Sequence, residues 1–315
     1  MFSATFRQKI NIKYFMVAYV GGLLVFSSLV LGTPDRLWMG LLIVLLYAGF
    51  DLIWTYLRDK IWYVPVSSWI SGCILSVVAI PAPSLFLAVV LPLLAVASKH
   101  LLKFGKQRHV YNPASFAMAI AAFFTPSISW WGVTWSLPDI GRVPLAIVIL
   151  VGLFILWRQS RWHVTIPFLI SYGAFLGLFF LWLGNSVGNL AALLSPQLID
   201  GTTIFFATVM LIEPLTSAFP SRRQRAVYGV LVGFFAVLMT YLSGAISSLP
   251  ALAASPIAVN LDPLVFGVLF GNLAASLLFL PSRHPAPTQV RPQTPPPPPP
   301  GPGMMPPTGQ LPQAR

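Results

Sequence analysis

Two carboxylates inside apolar stretches are the first candidates for chemistry in this sequence. Asp51 lies within the apolar run 37–57, and Glu213 ends the run 201–212 immediately before Pro214. An ionisable group at membrane depth is costly unless it is paired or faces a cavity, so such residues mark functional sites. Asp51 has two readings: a functional carboxylate, or a hydrogen-bonded structural one with Arg58 a turn or two away. Glu213 joins charge to a helix break, whose freed backbone N–H and C=O groups can bind charge or the edge of a cofactor. Its structural alternative is a helix-terminal cap paired with Arg222 or Arg223. Asn112, before Pro113, and Asn272 are polar groups beside apolar stretches, suited either to satisfying freed backbone or to touching a ligand.

Other chemistry is excluded. No H-E-x-x-H, Walker loop or G-x-S-x-G occurs, and seven acidic residues are too few and scattered for a carboxylate metal site. The single cysteine, Cys73, cannot supply an iron–sulfur cluster and reads as a small buried residue. His100, His109 and His163 fall near one interface, so they cannot form the stacked pairs of a membrane haem cytochrome. Any catalysis therefore comes from a bound cofactor.

The elements that must position these residues are membrane helices. Charged residues make up 8% of the chain and mean hydropathy is +0.80, against about 25% charged in soluble domains. Ten apolar stretches begin near Phe15, Leu37, Ser67, Leu85, Pro113, Pro144, Val164, Gly201, Val227 and Pro263. Lys and Arg cluster at alternate junctions, leaving only Arg36 and Arg142 on the other side, which places both termini in the cytoplasm of a plasma-membrane protein. The net charge of +12 is thereby explained by orientation and anionic lipid, and no nucleic-acid motif accompanies it. The stretch 15–31 has no small-residue cleavage site and reads as an uncleaved first helix. Trp130, Trp131, Trp135, Trp157 and Trp162 read as interfacial aromatic belts.

Two stretches are too short for the roughly 20 residues a spanning helix needs. The run 67–80 is stopped by Pro81 and Pro83, and 201–212 by Glu213 and Pro214. They are similar: Ser71-Gly72 followed by Pro81 and Ser84 parallels Asp200-Gly201 followed by Pro214 and Ser217. Asn112-Pro113 and Asp262-Pro263 form a second matching pair, each opening the last helix of its half. The expected fold is all-α, with about ten transmembrane helices as two inverted five-helix repeats, 15–140 and 141–281, each with one broken helix. A cytoplasmic segment, 1–14, precedes them. The remainder, 282–315, holds six consecutive prolines from Pro295 and reads as a disordered cytoplasmic tail.

The motifs resemble a known family. Residues 99–116, with Gly105 in a basic loop running into Tyr111-Asn112-Pro113-Ala114, look like the loop and Phe-Asn-Pro-Ala turn of the RnfD/NqrB family. Its members are membrane components of the Rnf electron-transport complex and of the sodium-translocating NADH:quinone oxidoreductase. Residues 206–217, ending Glu213-Pro214-Leu215-Thr216-Ser217, are similar to that family's Phe-Met-x-Thr-Asp-Pro-Val-Thr-Ser, and a basic turn and Tyr228-Gly229 follow. Residues 266–272 resemble its closing helix, an aliphatic run ending in asparagine. The resemblance spans 37–281 and implies a membrane electron carrier with a flavin (FMN or riboflavin), partner subunits or a cytoplasmic reductase, and quinone as a possible acceptor. The candidate cofactor-binding residues are Asn112, Pro113, Thr202, Thr203, Glu213, Pro214, Thr216 and Asn272. The family esterifies FMN to a threonine in an outer segment, but 185–200 contains no threonine here. The flavin expected is non-covalent, with Thr202 and Thr203 the first alternatives for attachment. A channel or carrier for a small solute, or a non-redox anchor for a reductase, are the rival readings.

Overall fold

The computed structural model describes residues 11–79, 85–104, 108–125, 128–134, 143–249 and 260–279. The proline-rich tail, Pro81, Pro83, Gly105 and Trp135 lie outside them. The first half comprises α1 (Ile12–Val30), α2 (Pro34–Asp59), α3 (Val66–Val78), α4 (Leu85–Leu101), a two-stranded hairpin β1 (Lys103–Phe104) and β2 (Arg108–His109), and α5 (Pro113–Ala122). The second comprises α6 (Val143–Gln159), α7 (Trp162–Trp182), α8 (Leu190–Leu198), α9 (Gly201–Phe205) continued by a π-turn Phe206–Met210, α10 (Arg222–Ser247) and α11 (Pro263–Leu278).

The protein is an all-α membrane protein. Among the described residues α1, α2, α7 and α10 are long and apolar enough to cross a bilayer. The pair Val187–Leu198 and Gly201–Met210, bent by 58° at its break, is a fifth candidate, and five shorter apolar helices complete ten segments. Exposed Leu45, Leu150, Ile170 and Leu178 give it the apolar outer surface that lipid requires. The expected outer loop 185–200 differs from expectation: a 3-10 turn, Val187–Asn189, leads into α8. No charge or glycine interrupts its Leu-Ala-Ala-Leu-Leu run once Asn189 has turned the chain, so helix is the cheapest way to satisfy that backbone.

Packing repeats between the halves. In the first, α3 lies on α1 and α2, α4 on α2, and α5 on α4. In the second, α9 and its π-turn lie on α6 and α7, α10 on α7, and α11 on α10. The second half thus repeats the packing partners of the first in the same order.

Small residues set the closest approaches. A Cβ on Gly229 of α10 would overlap the Val164 carbonyl of α7, and one on Gly233 would meet Ser171 and the Tyr172 N–H. On the other side of α10, Gly267 of α11 fits against Ala236, where an added Cβ would lie 2.8 Å from its Cα. Gly229/Gly233 and Gly267/Gly271 are both G-x-x-x-G pairs, the spacing that lets membrane helices approach closely enough for dispersion to hold them. Beyond them Phe234 and Tyr241 face Phe175, Phe179 and Trp182, and a wholly apolar groove of about 300 Å³ opens between α7 and α10.

Candidate functional site

Each broken helix ends with backbone carbonyls that have no partner within the helix, and in hydrocarbon every one must be satisfied. At the end of α3, residues 129–132 do this. The backbone N–H groups of Ser129 and Trp130 donate to the Val78 carbonyl, that of Gly132 to the Val77 carbonyl at 2.9 Å, and the Trp131 indole to the Ser76 carbonyl at 2.9 Å. Gly132 is required there, because a Cβ would lie 2.6 Å from Val77 Cβ. Trp130 Nε1 donates across to Asp262 Oδ2 at 2.6 Å, while Asp262 Oδ1 caps α11 by accepting from Leu264 and Val265 N–H. The belt assignment of Trp130 and Trp131 is therefore corrected: both are 6% exposed and clasp a helix end.

The end of α9 is served from the other repeat. Asn112 Oδ1 caps α5 by accepting from Ser115 N–H at 3.1 Å, and its Nδ2 donates to the Met210 carbonyl at 3.2 Å. Thr165 donates to the Ala207 carbonyl at 2.8 Å within the π-turn. The arrangement is reciprocal. The C-terminus of α3 meets the N-terminal cap of α11, and the C-terminus of α9 meets that of α5. Each junction sets the negative end of one helix dipole against the positive end of another.

Glu213 sits at the Asn112 junction. Its N–H donates to the Met210 carbonyl at 3.3 Å, and its carboxylate accepts from the Thr216 hydroxyl at 3.1 Å. Ser217 donates to the Glu213 carbonyl through both N–H and hydroxyl, so Glu-Pro-Leu-Thr-Ser closes on itself as a turn. The expected pairing with Arg222 or Arg223 is absent among the described residues, because Thr216 lies nearer within the turn.

Asp51 is fully buried and saturated. Tyr63 and Ser68 donate to Oδ2, Lys99 Nζ reaches Oδ2 at 2.8 Å, and His100 Nε2 meets Oδ1 at 2.6 Å. Arg58 is not its partner. It pairs instead with Asp59 at 2.6 Å and points one nitrogen at His100 Nδ1, 3.4 Å away. A guanidinium only donates, so Nδ1 accepts and Nε2 carries the hydrogen. Trp54 stacks on the same ring. The cluster ties α2 to α3 and α4, and it favours the structural reading of Asp51.

The structure therefore brings Asn112, Pro113, Glu213, Pro214 and Thr216 together and separates the rest. Thr202 and Thr203 begin the ten-residue helix that Met210 ends, about 10–12 Å away along its axis. Asp200 caps both of their N–H groups, and the Thr203 hydroxyl donates to the Gln197 carbonyl at 2.7 Å. Asn272 lies inside α11, fully buried, and neither of its amide atoms has a hydrogen-bond partner among the described residues; nor does the buried Ser115 hydroxyl. Sequence reasoning missed Lys99, His100, Trp130 and Trp131. The one available signal was that a buried Asp51 needs a cation on another helix, and Lys99-His100 is the basic pair ending the helix packed on α2.

No family model matches the chain. Over 130 residues it is 30% identical to RnfD of Klebsiella pneumoniae, a protein of the ion-translocating oxidoreductase complex, and 27% identical to the protein of the same name from Citrobacter koseri. Each match covers 40% of this chain and 31% of the relative, so the chain is matched over less than a third of those proteins' length.

Proposed function

We propose that this protein is an RnfD-like membrane subunit of an electron-transport complex of the ion-translocating oxidoreductase kind. The sequence similarity to the two relatives carries the reading. In it, both termini lie in the cytoplasm at the plasma membrane, other subunits or a reductase supply electrons, and quinone is a candidate acceptor.

The redox centre in this reading is a flavin, FMN or riboflavin, held without a covalent bond or presented by a partner subunit. A bound flavin supplies one- and two-electron transfer. Its polar edge needs a donor and an acceptor side by side, which is what the unpaired amide of buried Asn272 offers. The apolar groove between α7 and α10 offers neither. Gly267 and Gly271 hold α10 tightly against α11, the helix that carries Asn272. At the Asn112 junction, Asn112 and Thr216 hold the helix end and the Glu213 carboxylate in place.

A visible spectrum of the purified protein tests this. The expected result is a flavin absorption band that is released on heating and leaves no fluorescent band on a denaturing gel. A protein with no flavin, alone or co-purified with its partners, overturns the redox reading. A fluorescent denatured band overturns non-covalent attachment and directs attention to Thr202 and Thr203.

A further inference from the structure

Four arginines of the second half, Arg161, Arg222, Arg223 and Arg225, have no carboxylate partner among the described residues. Of the seven acidic residues, all but Asp139 are described. Asp51 pairs with Lys99 and His100, and Asp59 with Arg58. Asp200 and Asp262 cap helices, Glu213 binds Thr216, and Asp35 sits in the first turn of α2. Among the described residues no ion pair reaches Arg161, Arg222, Arg223 or Arg225.

Two of these arginines lie together. Arg161, the N-cap residue of α7, is half-buried and donates from Nη1 to the Ser217 carbonyl at 2.9 Å. Arg225 stands one turn before Gly229, which approaches the Val164 carbonyl three residues after Arg161, so the two arginines fall at adjoining starts of α10 and α7. Burial and that like charge lower the pKa of Arg161. The Arg225 Nε is buried without a hydrogen-bond partner among the described residues. Neighbouring guanidiniums without a carboxylate repel each other, an anion between them relieves that repulsion, and their forked donors match a phosphate. The N-terminus of α10, capped by Ser221 and carrying Arg222 and Arg223 in place of acidic residues, adds dipole and charge of the same sign.

We propose that Arg161 and Arg225 form a phosphate site filled by the headgroup of an anionic phospholipid. A lipid is favoured over a soluble phosphate because the site lies where α7 and α10 begin. Within two to three turns those helices expose Ile166, Ile170, Val230 and Phe234, an apolar surface for acyl chains. Since Arg161 also holds the Ser217 carbonyl, the headgroup steadies the turn that carries Glu213.

The test titrates the purified full chain, in neutral detergent, with short-chain phosphatidylglycerol or phosphatidylcholine and follows the thermal unfolding midpoint. The expected result is a preference for phosphatidylglycerol of about thirtyfold, from two cations at the membrane surface. Arg161→Gln with Arg225→Gln should reduce it to within about twofold, the corresponding Lys pair should retain part of it, and Arg36→Gln should leave it unchanged. Equal stabilisation of the wild type by the two lipids overturns the proposal whether or not the Gln pair accumulates. Retained preference in a folded Gln pair overturns the assignment to these residues. Stabilisation by inorganic phosphate or glycerol 3-phosphate at the same concentration overturns the lipid as occupant. None of these readouts depends on electron transfer.

Discussion

Asn112→Asp distinguishes a clasp between repeats from a simple helix cap. Asn112 is 3% exposed and has two tasks: Oδ1 caps α5 and Nδ2 donates to the Met210 carbonyl. Aspartate caps about as well as asparagine, so a residue that only caps tolerates the change, with a further gain of about 0.3–1 kcal/mol from the helix dipole. As a clasp, the same change removes the donor and turns a carboxylate oxygen toward a carbonyl. The Met210 carbonyl then keeps only the Glu213 N–H at 3.3 Å. Leaving a buried acceptor poorly satisfied costs about 1–3 kcal/mol, so the net expectation is a loss of about 1–2 kcal/mol. Asn112→Ala loses both tasks, about 1 kcal/mol for the cap plus about 1–3 kcal/mol for the carbonyl. Reversible unfolding in mixed micelles measures both. An Asn112→Asp protein as stable as wild type refutes the clasp, and with it the reciprocal joining of repeats on this side.

Other outcomes follow from the same geometry. Asp51→Asn strands the Lys99 ammonium, whose side chain is 14% exposed, and should cost about 3–5 kcal/mol; adding Lys99→Met should recover part of this, and a purely additive double variant would show that the two are not coupled. Gly229→Leu drives a side chain into the Val164 carbonyl and should prevent accumulation in membranes, whereas a normal level would show that α7 and α10 need not touch there. Burial, aided by Lys99 and Lys103, holds the pKa of His109 down at about 4. Because this folded value lies below the ordinary one, stability is full above about pH 6.5 and falls by up to about 3 kcal/mol as pH drops toward 4. His109→Gln should flatten that part of the stability–pH curve, and superimposable curves would contradict it. Glu213→Gln keeps the Thr216 contact; if Glu213 serves electron transfer, acceptor reduction in vesicles should slow at least about tenfold at normal protein level, and unchanged turnover would leave it a turn-closing residue.

The sequence by itself determined the membrane class and the apolar stretches that become helices. These depend on composition, proline position and hydropathy, all local properties that a bilayer converts directly into helices. It also marked Asn112 and Asp262 as equivalent, since each precedes the proline that opens the last helix of its half. Only the tertiary structure decided what those residues hold. Asn112 reaches Met210, 98 residues away, and Trp130 reaches Asp262, 132 residues away. A hydrogen bond between segments so distant leaves no periodicity to read, and an indole looks the same in sequence whether it faces lipid or closes a helix end. Asp51 shows the same division. Its burial was legible because a charge stood within an apolar run, whereas the choice of Lys99 and His100 over nearby Arg58 was made by the side on which α4 packs against α2.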